Sequence, residues 1–381
     1  MKISVMASTK PGYQMPLEEA LDFSGRSAGI CYWKGDMETL FDQPEERVKK
    51  RVETNLKSGH HSVFAHATYN ISLEGIPKIL AMILNNEKAY NTSEKSARYT
   101  HMKSTGKEKE LYEKWIELFS SGIIAKNYPD IPIKRVAKFA QENARYLISI
   151  FTPATSMEYT VSFQQLNFIF YWFREYIENE QENVFSKKLK PVMQEFCDNL
   201  SNLEVKELNP KMKGRKLSLF ATRERKEEFG ENYSTNYYAS FAELGELQRH
   251  RTISYEMRFT TNSLFYVPII IRGTKYEGEW LEDISSLKSN FPQGMLVRVN
   301  ERGTLENFVL KCTERLCGAV LLETMQQTRE TMEKYVKVTK NDKVISEYLS
   351  NYSNGPRCTF PGWKCNTPCI FGPNGAFSRK I

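Results

Sequence analysis

The sequence predicts a mixed α/β (α+β) protein made of two similar halves, and three observations support this prediction. The chain has 381 residues, which is enough for two domains that each bury a core of their own. Apolar residues recur at intervals of three and four in some segments and at alternate positions in others, which indicates both helices and strands. The two halves also share a weak internal repeat.

The first half begins with a predicted helix over residues 44–56, which ends at Ser58 and Gly59. A strand over 64–71 follows, because its apolar residues alternate with polar ones. The later elements of this half are a helix over 77–84, a polar segment over 85–99, an amphipathic helix over 133–151 and an aromatic helix over 166–177.

The second half follows a polar, basic link that starts near Leu203 and reaches Arg215. It is predicted to begin with a short strand over residues 217–221 and to continue through an extended aromatic segment near Tyr237. A helix over 242–248 comes next, and a single long helix is expected over 304–336. One face of that long helix carries Phe308, Cys312, Arg315, Leu316, Ala319 and Leu322.

The internal repeat consists of a helix and a polar-aromatic segment, found over residues 79–99 and again over 244–259. An Asn-Phe pair then opens a later helix in each half. Two diverged copies of one module are the simplest account, and a chance match between short stretches is the alternative. The predicted division is an N-terminal module over 1–202, a linker over 203–216, a C-terminal module over 217–338 and a tail over 339–381.

The charge balance favours a small anionic ligand over a nucleic-acid polymer. The 53 basic and 46 acidic side chains leave a net charge of +7, and no long lysine or arginine run is present. The N-terminus carries no apolar run of signal-peptide length and no segment approaches a membrane span, so we expect a cytoplasmic location. Seven cysteines spread over a long chain indicate reduced thiols rather than a disulfide framework.

The Arg-His-Arg sequence at residues 249–251 is the strongest chemical signal in the chain. Directly after a predicted helix, it offers two fixed cations and a titratable ring at one point. Such a group suits a phosphate or the polar edge of a flavin. A solvated surface patch is the alternative, because exposed charge is common.

Four segments resemble the flavin-dependent thymidylate synthase family. Residues 249–255, Arg-His-Arg-Thr-Ile-Ser-Tyr, are similar to its signature, and residues 94–99, Glu-Lys-Ser-Ala-Arg-Tyr, resemble the end of that signature. Residues 59–66 resemble its Gly-His and Phe-Glu-His segment, with Ala65 in place of the usual Glu. Ala144 and Arg145 resemble its helical Ala-Arg pair.

This resemblance covers about residues 26–200 and 218–336, and it implies helices around an antiparallel sheet in each half. Each half lacks what the other keeps. The first half has Asn-Glu-Lys at residues 86–88 where the second has Arg-His-Arg, and the second has Phe259 at the position of Ser96. The family's flavin-contacting Asn-x-Arg corresponds to Asn300 and Arg302, and the first half is expected to carry Val161 and Phe163 there.

In the family, the nucleotide lies between two subunits, so the resemblance implies a site shared by the two halves. The residues implied for dUMP are Glu94, Ser96, Ala97, Arg98 and Arg145 from the first half, with Arg249 and Arg315 from the second. Ser96, Arg98, Arg249 and Arg315 are the implied catalytic residues. The residues implied for FAD are His60, Ser62, Arg249, His250, Arg251, Asn300 and Arg302. An ordinary ion pair is the alternative for each arginine.

The implied activity is methylation of dUMP to dTMP with methylenetetrahydrofolate, where reduced FAD supplies hydride and NADPH re-reduces it. The fused halves would stand in for a family dimer, so a homodimer acting as a pseudo-tetramer is expected. Two alternatives stay open. One is a hydroxymethylase acting on dUMP or dCMP, and the other is a non-catalytic nucleotide-binding or RNA-binding descendant.

The tail lies outside the resemblance and carries three cysteines in a turn-rich segment. Cys358, Cys365 and Cys369 could bind zinc or an iron–sulfur cluster, with a fourth ligand from elsewhere, such as Cys312 or Cys317. The spacing matches no standard pattern. Free structural cysteines are the alternative, because intracellular thiols need not be paired.

Overall fold

The computed structural model describes residues 1–9, 13–32, 34–35, 37–98, 100–210, 215–366 and 369–381. Tyr99 of the signature, residues 211–214 of the predicted linker and Pro368 of the tail lie outside this part. The strands are β1 (Lys2–Ser8), β2 (Thr68–Ile76), β3 (Tyr90–Glu94), β4 (Thr155–Ser162), β5 (Glu228–Phe229), β6 (Asn232–Ser240), β7 (Ser254–Arg258) and β8 (Leu296–Thr304).

The helices fall between these strands and after the last of them. They are α1 (Leu17–Ser27), α2 (Glu45–Ser58), α3 (Lys78–Asn86), α4 (Gly106–Glu117), α5 (Ala125–Asn127), α6 (Ile133–Ala144), α7 (Phe163–Asn179), α8 (Val184–Asn199), α9 (Phe241–Leu247), α10 (Tyr276–Ser286), α11 (Leu305–Arg315), α12 (Leu322–Val338), α13 (Lys343–Ser353) and α14 (Gly372–Gly375). Within the described ranges, no helix combines the length and the apolarity needed to cross a membrane.

Helices accompany two antiparallel sheets of four strands each, which confirms the predicted fold class. The chain forms two compact units. Unit 1 is Met1–Lys95 with Pro153–Ser218, and unit 2 is Ser96–Thr152 with Leu219–Ile381. The predicted modules are defined by the internal repeat, whereas the two compact units are defined by contacts. The module boundaries therefore stay a prediction.

Unit 1 contains the sheet with the strand order β1-β2-β4-β3. Tyr69, Ile71 and Leu73 alternate along β2 and are fully buried, as the predicted strand pattern requires. The predicted helix over 77–84 is confirmed as α3, which begins just after Pro77 and is buried along its whole length.

Unit 2 contains the sheet with the strand order β5-β6-β8-β7. Its inner face carries a buried ion pair, in which Lys311 Nζ of α11 lies 2.7 Å from Glu301 Oε2 of β8 and neither side chain is exposed. The hydroxyl groups of Tyr233 and Tyr237 donate to the same carboxylate at 2.7 and 2.6 Å. Because every charged atom has a partner, this network can fix α11 on the sheet. Arg315 then lies one helical turn after Lys311 on the same face.

The two sheets share their strand order and the way in which their last long strand leads into a helix. The hydroxyl of Ser162 caps α7, and that of Thr304 caps α11. Two residues before each cap, Thr160 pairs with Asn91, and Arg302 pairs with Ser254. Asn91 and Ser254 are therefore equivalent positions in the two sheets.

The same register relates the parts of the signature. The interval from Asn91 to Ser96 equals the interval from Ser254 to Phe259. The interval from Asn86 to Asn91 likewise equals the interval from Arg249 to Ser254. These equivalences agree with the predicted ones.

One predicted equivalence is wrong. The register makes Glu158 and Thr160 the counterparts of Asn300 and Arg302, rather than Val161 and Phe163. Val161 and Phe163 are buried, with exposed fractions of 1% and 0%.

Several predicted elements also need correction. The strand over 64–71 begins only at Thr68, because residues 61–65 form a 3₁₀ turn, and the polar segment over 85–99 contains strand β3. Residues 217–221 form no strand, since Phe220 makes a single bridge to Met257. The amphipathic helix over 133–151 ends at Ala144 and continues as a 3₁₀ turn.

The long helix predicted over 304–336 is two helices, with a break between Arg315 and Leu322. Gly318 lies in this break, where a Cβ atom would be only 2.8 Å from Cys369 Sγ. The tail therefore passes close to the backbone at this point. The break also frees the carbonyl groups of Ala319 and Val320, which accept hydrogen bonds from arginine side chains.

Candidate functional site

Four arginines of unit 2 lie in one region, and we call Arg98, Arg145, Arg315 and Arg379 the arginine cluster. Arg98 is presented by a tight turn, in which the backbone N–H and the hydroxyl of Thr100 both donate to the Ser96 carbonyl. The Arg98 guanidinium donates from Nε to Glu142 Oε2 at 2.7 Å and from Nη2 to the Ala319 carbonyl at 2.8 Å. Two segments of the chain that are far apart in sequence, around Glu142 and Ala319, thus hold this side chain.

Arg145 follows α6 in a 3₁₀ turn and is 2% exposed. Its Nη1 lies 3.5 Å from Glu246 Oε1, and its Nη2 donates to Gln293 Oε1 at 3.3 Å. The backbone around Gln293 pairs with the turn, since the Gly294 N–H donates to the Tyr146 carbonyl at 2.8 Å. Gly294 is required here, because a Cβ atom would be 2.9 Å from Tyr146 Cβ.

Arg315 is the last residue of α11, and its Nη2 donates to the Glu246 carbonyl at 3.3 Å. Glu246 therefore joins Arg315 to Arg145. Arg379 comes from the tail and is 3% exposed. Its Nη2 donates to the Val320 carbonyl at 2.5 Å, and this carbonyl directly follows the Ala319 carbonyl that Arg98 binds.

Charge repulsion acts between Arg98 and two other members of the cluster, Arg315 and Arg379. Burial lowers the pKa of Arg315, although Glu246 and Glu314 oppose this shift and Arg98 adds to it. Burial likewise lowers the pKa of Arg379, and Arg98 again adds to the shift. Guanidinium groups stay protonated even so, which leaves several cations close together. Such an arrangement favours an anion among them.

The cluster also carries donors without acceptors. Arg145 Nε, Arg315 Nε and Arg379 Nε are buried and find no hydrogen-bond acceptor among the described residues. A buried donor left unpaired costs about 1–3 kcal/mol, so native structures satisfy nearly all of them. Convergent guanidinium donors of this kind match the oxygen atoms of a phosphate monoester.

His250 lies next to Arg315 and is not the titratable ring that the sequence suggests. It is 4% exposed, and burial together with Arg315 and Lys311 lowers its pKa to about 2. The ring is therefore neutral at physiological pH. Its Nε2 is 3.7 Å from Glu314 Oε2 and makes no hydrogen bond within the described part of the chain. It can serve as a neutral polar wall, but it cannot carry a proton near pH 7.

A second polar group lies behind Arg145 and consists of two buried carboxyl groups. Glu323 accepts from the Ser240 backbone and hydroxyl at 3.0 and 2.6 Å and from the Tyr146 hydroxyl at 3.0 Å. Burial and the Glu323 charge raise the pKa of Glu243 well above its usual value, so Glu243 is protonated and bonds to Glu323. The pair fixes the start of α9, which carries Glu246.

The structure brings together only part of the predicted residue set. Ser96, Ala97, Arg98, Arg145, Arg249, His250, Arg251 and Arg315 all belong to unit 2. Glu94 belongs to unit 1, where its Oε1 lies 2.7 Å from Lys78 Nζ. His60 and Ser62 also belong to unit 1 and are exposed at a 3₁₀ turn.

Asn300 and Arg302 belong to unit 2 but face away from His250. They alternate along β8 with Glu301, which points to the α11 side of the sheet. Arg302 Nη1 lies 2.6 Å from Glu256 Oε1 and donates to Asn300 Oδ1 at 3.3 Å. On this face Asn300 also donates to Ser234, Thr235 and Asn236 of the neighbouring strand β6.

Sequence reasoning missed four residues that complete the cluster: Glu142, Glu246, Gln293 and Arg379. Glu142 lies on α6 one turn before Arg145, so helical spacing contained a signal for it. Glu246 and Gln293 bind Arg145, and Arg379 binds the Val320 carbonyl, all through tertiary packing for which the sequence offered no local signal.

The protein thus has an α/β fold with a cluster of guanidinium donors, a type of group that pairs with anions. The chain matches the family model for thymidylate synthase complementing protein over residues 18–204. Over this segment, which is about half of its length, the chain belongs to that family. The match includes Ser96, Arg98 and Arg145, and it stops before the second sheet.

Curated relatives are enzymes of the same family. The chain is 28% identical over 135 residues to a flavin-dependent thymidylate synthase of Pyrococcus abyssi, which covers 32% of this chain and 53% of the relative. It is 28% identical over 110 residues to the enzyme of the same name from Pyrococcus furiosus, with 26% and 45% covered. The chain thus spans about half the length of the curated relatives it matches.

Solved structures show a distant similarity. A flavin-dependent thymidylate synthase from Helicobacter pylori complexed with FAD and dUMP is 16% identical, with a TM-score of 0.32 and coverage of 52% of this chain and 94% of that one. A UMP/dUMP methylase, PolB from Streptomyces cacaoi, bound with 5-Br dUMP, is 14% identical, with a TM-score of 0.35 and coverage of 53% and 91%.

Proposed function

We propose that the chain binds dUMP with its phosphate in the arginine cluster and methylates the base to give dTMP. The donors of the one-carbon unit and of electrons would be methylenetetrahydrofolate and NADPH, with FAD as cofactor. The observation that carries this proposal is the set of buried guanidinium donors, three of which have an Nε without an acceptor in the described residues. The family membership of residues 18–204 and the curated relatives support the nucleotide as the ligand.

Charge and geometry favour a phosphate monoester over a neutral ligand. Four arginines face Glu142 and Glu246, and Glu314 adds an exposed carboxylate. A positive excess remains, which favours an anionic ligand. Guanidinium groups pair with phosphate oxygens through two parallel hydrogen bonds, which adds orientation to affinity.

We also propose that the chain is a fused duplication with one nucleotide site per chain. The shared strand order of the two sheets and their matching registers support the duplication. Arg98 and Arg145 come from the first predicted module, whereas Arg249 and Arg315 come from the second. Because Phe259 stands in place of Ser96, and residues 86–88 lack the Arg-His-Arg, the reciprocal site would lack its phosphate donors.

The residues fit the nucleotide more fully than they fit a flavin. Arg249 and Arg251 flank the neutral ring of His250 at the end of α9, and they would hold the polar edge of the cofactor. A bound flavin would supply the hydride that completes the methyl group. Asn300 and Arg302 lie on the other face of the sheet, so they would reach this cofactor only from a second copy of the chain. A homodimer therefore stays part of the proposal.

The test is turnover of dUMP by the purified chain supplied with FAD, methylenetetrahydrofolate and NADPH. The proposal predicts a product heavier than dUMP by one CH₂ group, measured by mass spectrometry. A gain of CH₂O would indicate hydroxymethylation and overturn the methylation step. Protein that takes up no flavin and leaves dUMP unchanged would instead support a non-catalytic nucleotide-binding protein.

A further inference from the structure

Four cysteines of unit 2 converge from two segments that are distant in sequence. Cys317 lies in the break after α11, and Cys358, Cys365 and Cys369 lie in the tail. Cys312, the other cysteine of α11, is fully buried in an apolar cluster with Tyr233 and Phe308, so it is excluded from this group.

Backbone contacts place Cys358 and Cys369 beside Cys317. The Arg357 N–H donates to the Leu316 carbonyl at 2.6 Å, which joins the residues just before Cys358 and Cys317. On the other side of Cys317, a Cβ atom on Gly318 would be 2.8 Å from Cys369 Sγ. Cys317 itself is 7% exposed, and its sulfur accepts from the Ala319 N–H at 3.4 Å.

A side-chain contact brings the segment just before Cys365 towards the same region. The Arg357 guanidinium lies over the Trp363 ring, 4.9 Å from its centroid, so the loop after Phe360 folds back on residue 357. Cys365 follows Trp363 by two positions. Cys358 and Cys365 are both exposed, which leaves their side chains free to rotate.

A cysteine binds a metal ion as the thiolate rather than as the thiol. Four thiolates at such a point would repel each other unless a cation lay among them. A metal ion supplies that cation and deprotonates the thiols that bind it.

We infer that Cys317, Cys358, Cys365 and Cys369 bind a metal centre with four thiolate ligands, which is either a zinc ion or an iron–sulfur cluster. Both centres take four cysteine ligands, and both accept N–H donors to sulfur like that of Ala319. As the side chains stand, no three His, Cys, Asp or Glu residues in the described ranges are grouped to hold a metal. Binding would therefore draw the exposed thiols of Cys358 and Cys365 inwards, as expected where metal binding and local folding are coupled.

A metal centre at this point would fasten the tail to the break after α11. The described residues between Gly355 and Ile381 bury few apolar side chains, so a metal would supply order that apolar packing does not. Arg379 follows Cys369 by ten residues and belongs to the arginine cluster. The centre would thereby hold one arginine of the proposed nucleotide site in place.

The experiment measures zinc, iron and acid-labile sulfide in the purified full-length chain, both as isolated without oxygen and after reconstitution with zinc or with iron and sulfide. We expect either one zinc per chain or iron and sulfide in equal amounts, and these results distinguish the two centres. Cys365→Ser and Cys369→Ser should each lose most of the metal. Cys197→Ala, which removes a buried cysteine of unit 1, should keep it.

Far-ultraviolet circular dichroism of each variant shows whether it is folded. Cys365 is exposed, so its replacement should leave the rest of the chain folded while the metal is lost. Wild-type protein that binds neither zinc nor an iron–sulfur cluster after reconstitution would overturn the inference. So would a folded Cys365→Ser and a folded Cys369→Ser that both keep the wild-type amount of metal. These readouts do not depend on dUMP, so they stand apart from the proposed function.

Discussion

Replacing Arg379 by glutamine removes one cation from the arginine cluster and keeps a polar side chain at this position. The side chain is 3% exposed and its Nε has no acceptor in the described residues. A charge-assisted hydrogen bond to phosphate is worth about 1.5–3 kcal/mol. The dissociation constant for dUMP should therefore rise roughly 10-fold to 150-fold, since each 1.4 kcal/mol is about a factor of ten.

Stability should respond differently from affinity. Burial and repulsion from Arg98 lower the pKa of Arg379, so the free chain gains by losing this charge. The loss of the hydrogen bond to Val320 opposes that gain. We expect the free energy of unfolding of Arg379→Gln to change by no more than about 1 kcal/mol.

Isothermal titration calorimetry with dUMP and with deoxyuridine separates a phosphate contact from a general loss of structure. Arg379→Gln should weaken the binding of dUMP and leave the binding of deoxyuridine unchanged, because deoxyuridine has no phosphate. Lys380→Gln is the matched control, since it removes the same charge from an exposed neighbour. Equal dUMP affinity in Arg379→Gln and Lys380→Gln, or an equal loss for both ligands, would refute the role of Arg379.

Three further outcomes follow from the site. Arg98→Lys should weaken dUMP by roughly tenfold or more, because lysine cannot donate to Glu142, the Ala319 carbonyl and a phosphate from one planar group; calorimetry showing wild-type affinity would contradict this. The pKa of His250 is about 2 in the folded chain and about 6.5 when unfolded, so lowering the pH from 6.5 protonates only the unfolded state and reduces stability. Between about pH 7 and about pH 5, the free energy of unfolding measured in urea should therefore fall by about 2 kcal/mol more for wild type than for His250→Asn. Equal losses would show that the ring is not buried in its neutral form. Glu243→Gln should be nearly neutral because Glu243 is already protonated, whereas Glu323→Gln should cost about 2 kcal/mol because Glu323 accepts three hydrogen bonds; the reverse order in urea unfolding would reverse the assignment of the proton.

Local patterns in the sequence predicted α2, α3, α6, α7 and α9, the region of α11 and α12, and the buried positions of β2, but not the remaining helices. Pro77 and the apolar run after it predicted α3, and alternation predicted the buried side of β2. Strand β3 was missed because it is an edge strand of five mostly polar residues, so its sequence lacks the apolar alternation that marks a strand. The break after α11 was missed because Leu316, Ala319 and Leu322 continue the apolar spacing through it.

The site could be predicted only as far as the family signature reaches. Arg98, Arg145 and Arg315 were predicted from their motifs, and all three lie in the cluster. Arg379 could not be predicted, because the tail lies outside the repeat and reaches Val320 only through tertiary packing. The neutral state of His250 was also hidden, since it depends on burial beside Arg315 and Lys311.

The central claim is that one dUMP site per chain is built on the arginine cluster. Calorimetric titration of dUMP into the purified chain tests this claim most directly. We predict saturation at one dUMP per chain, with binding abolished in Arg98→Ala. Two equivalents per chain, or wild-type binding by Arg98→Ala, would contradict the claim.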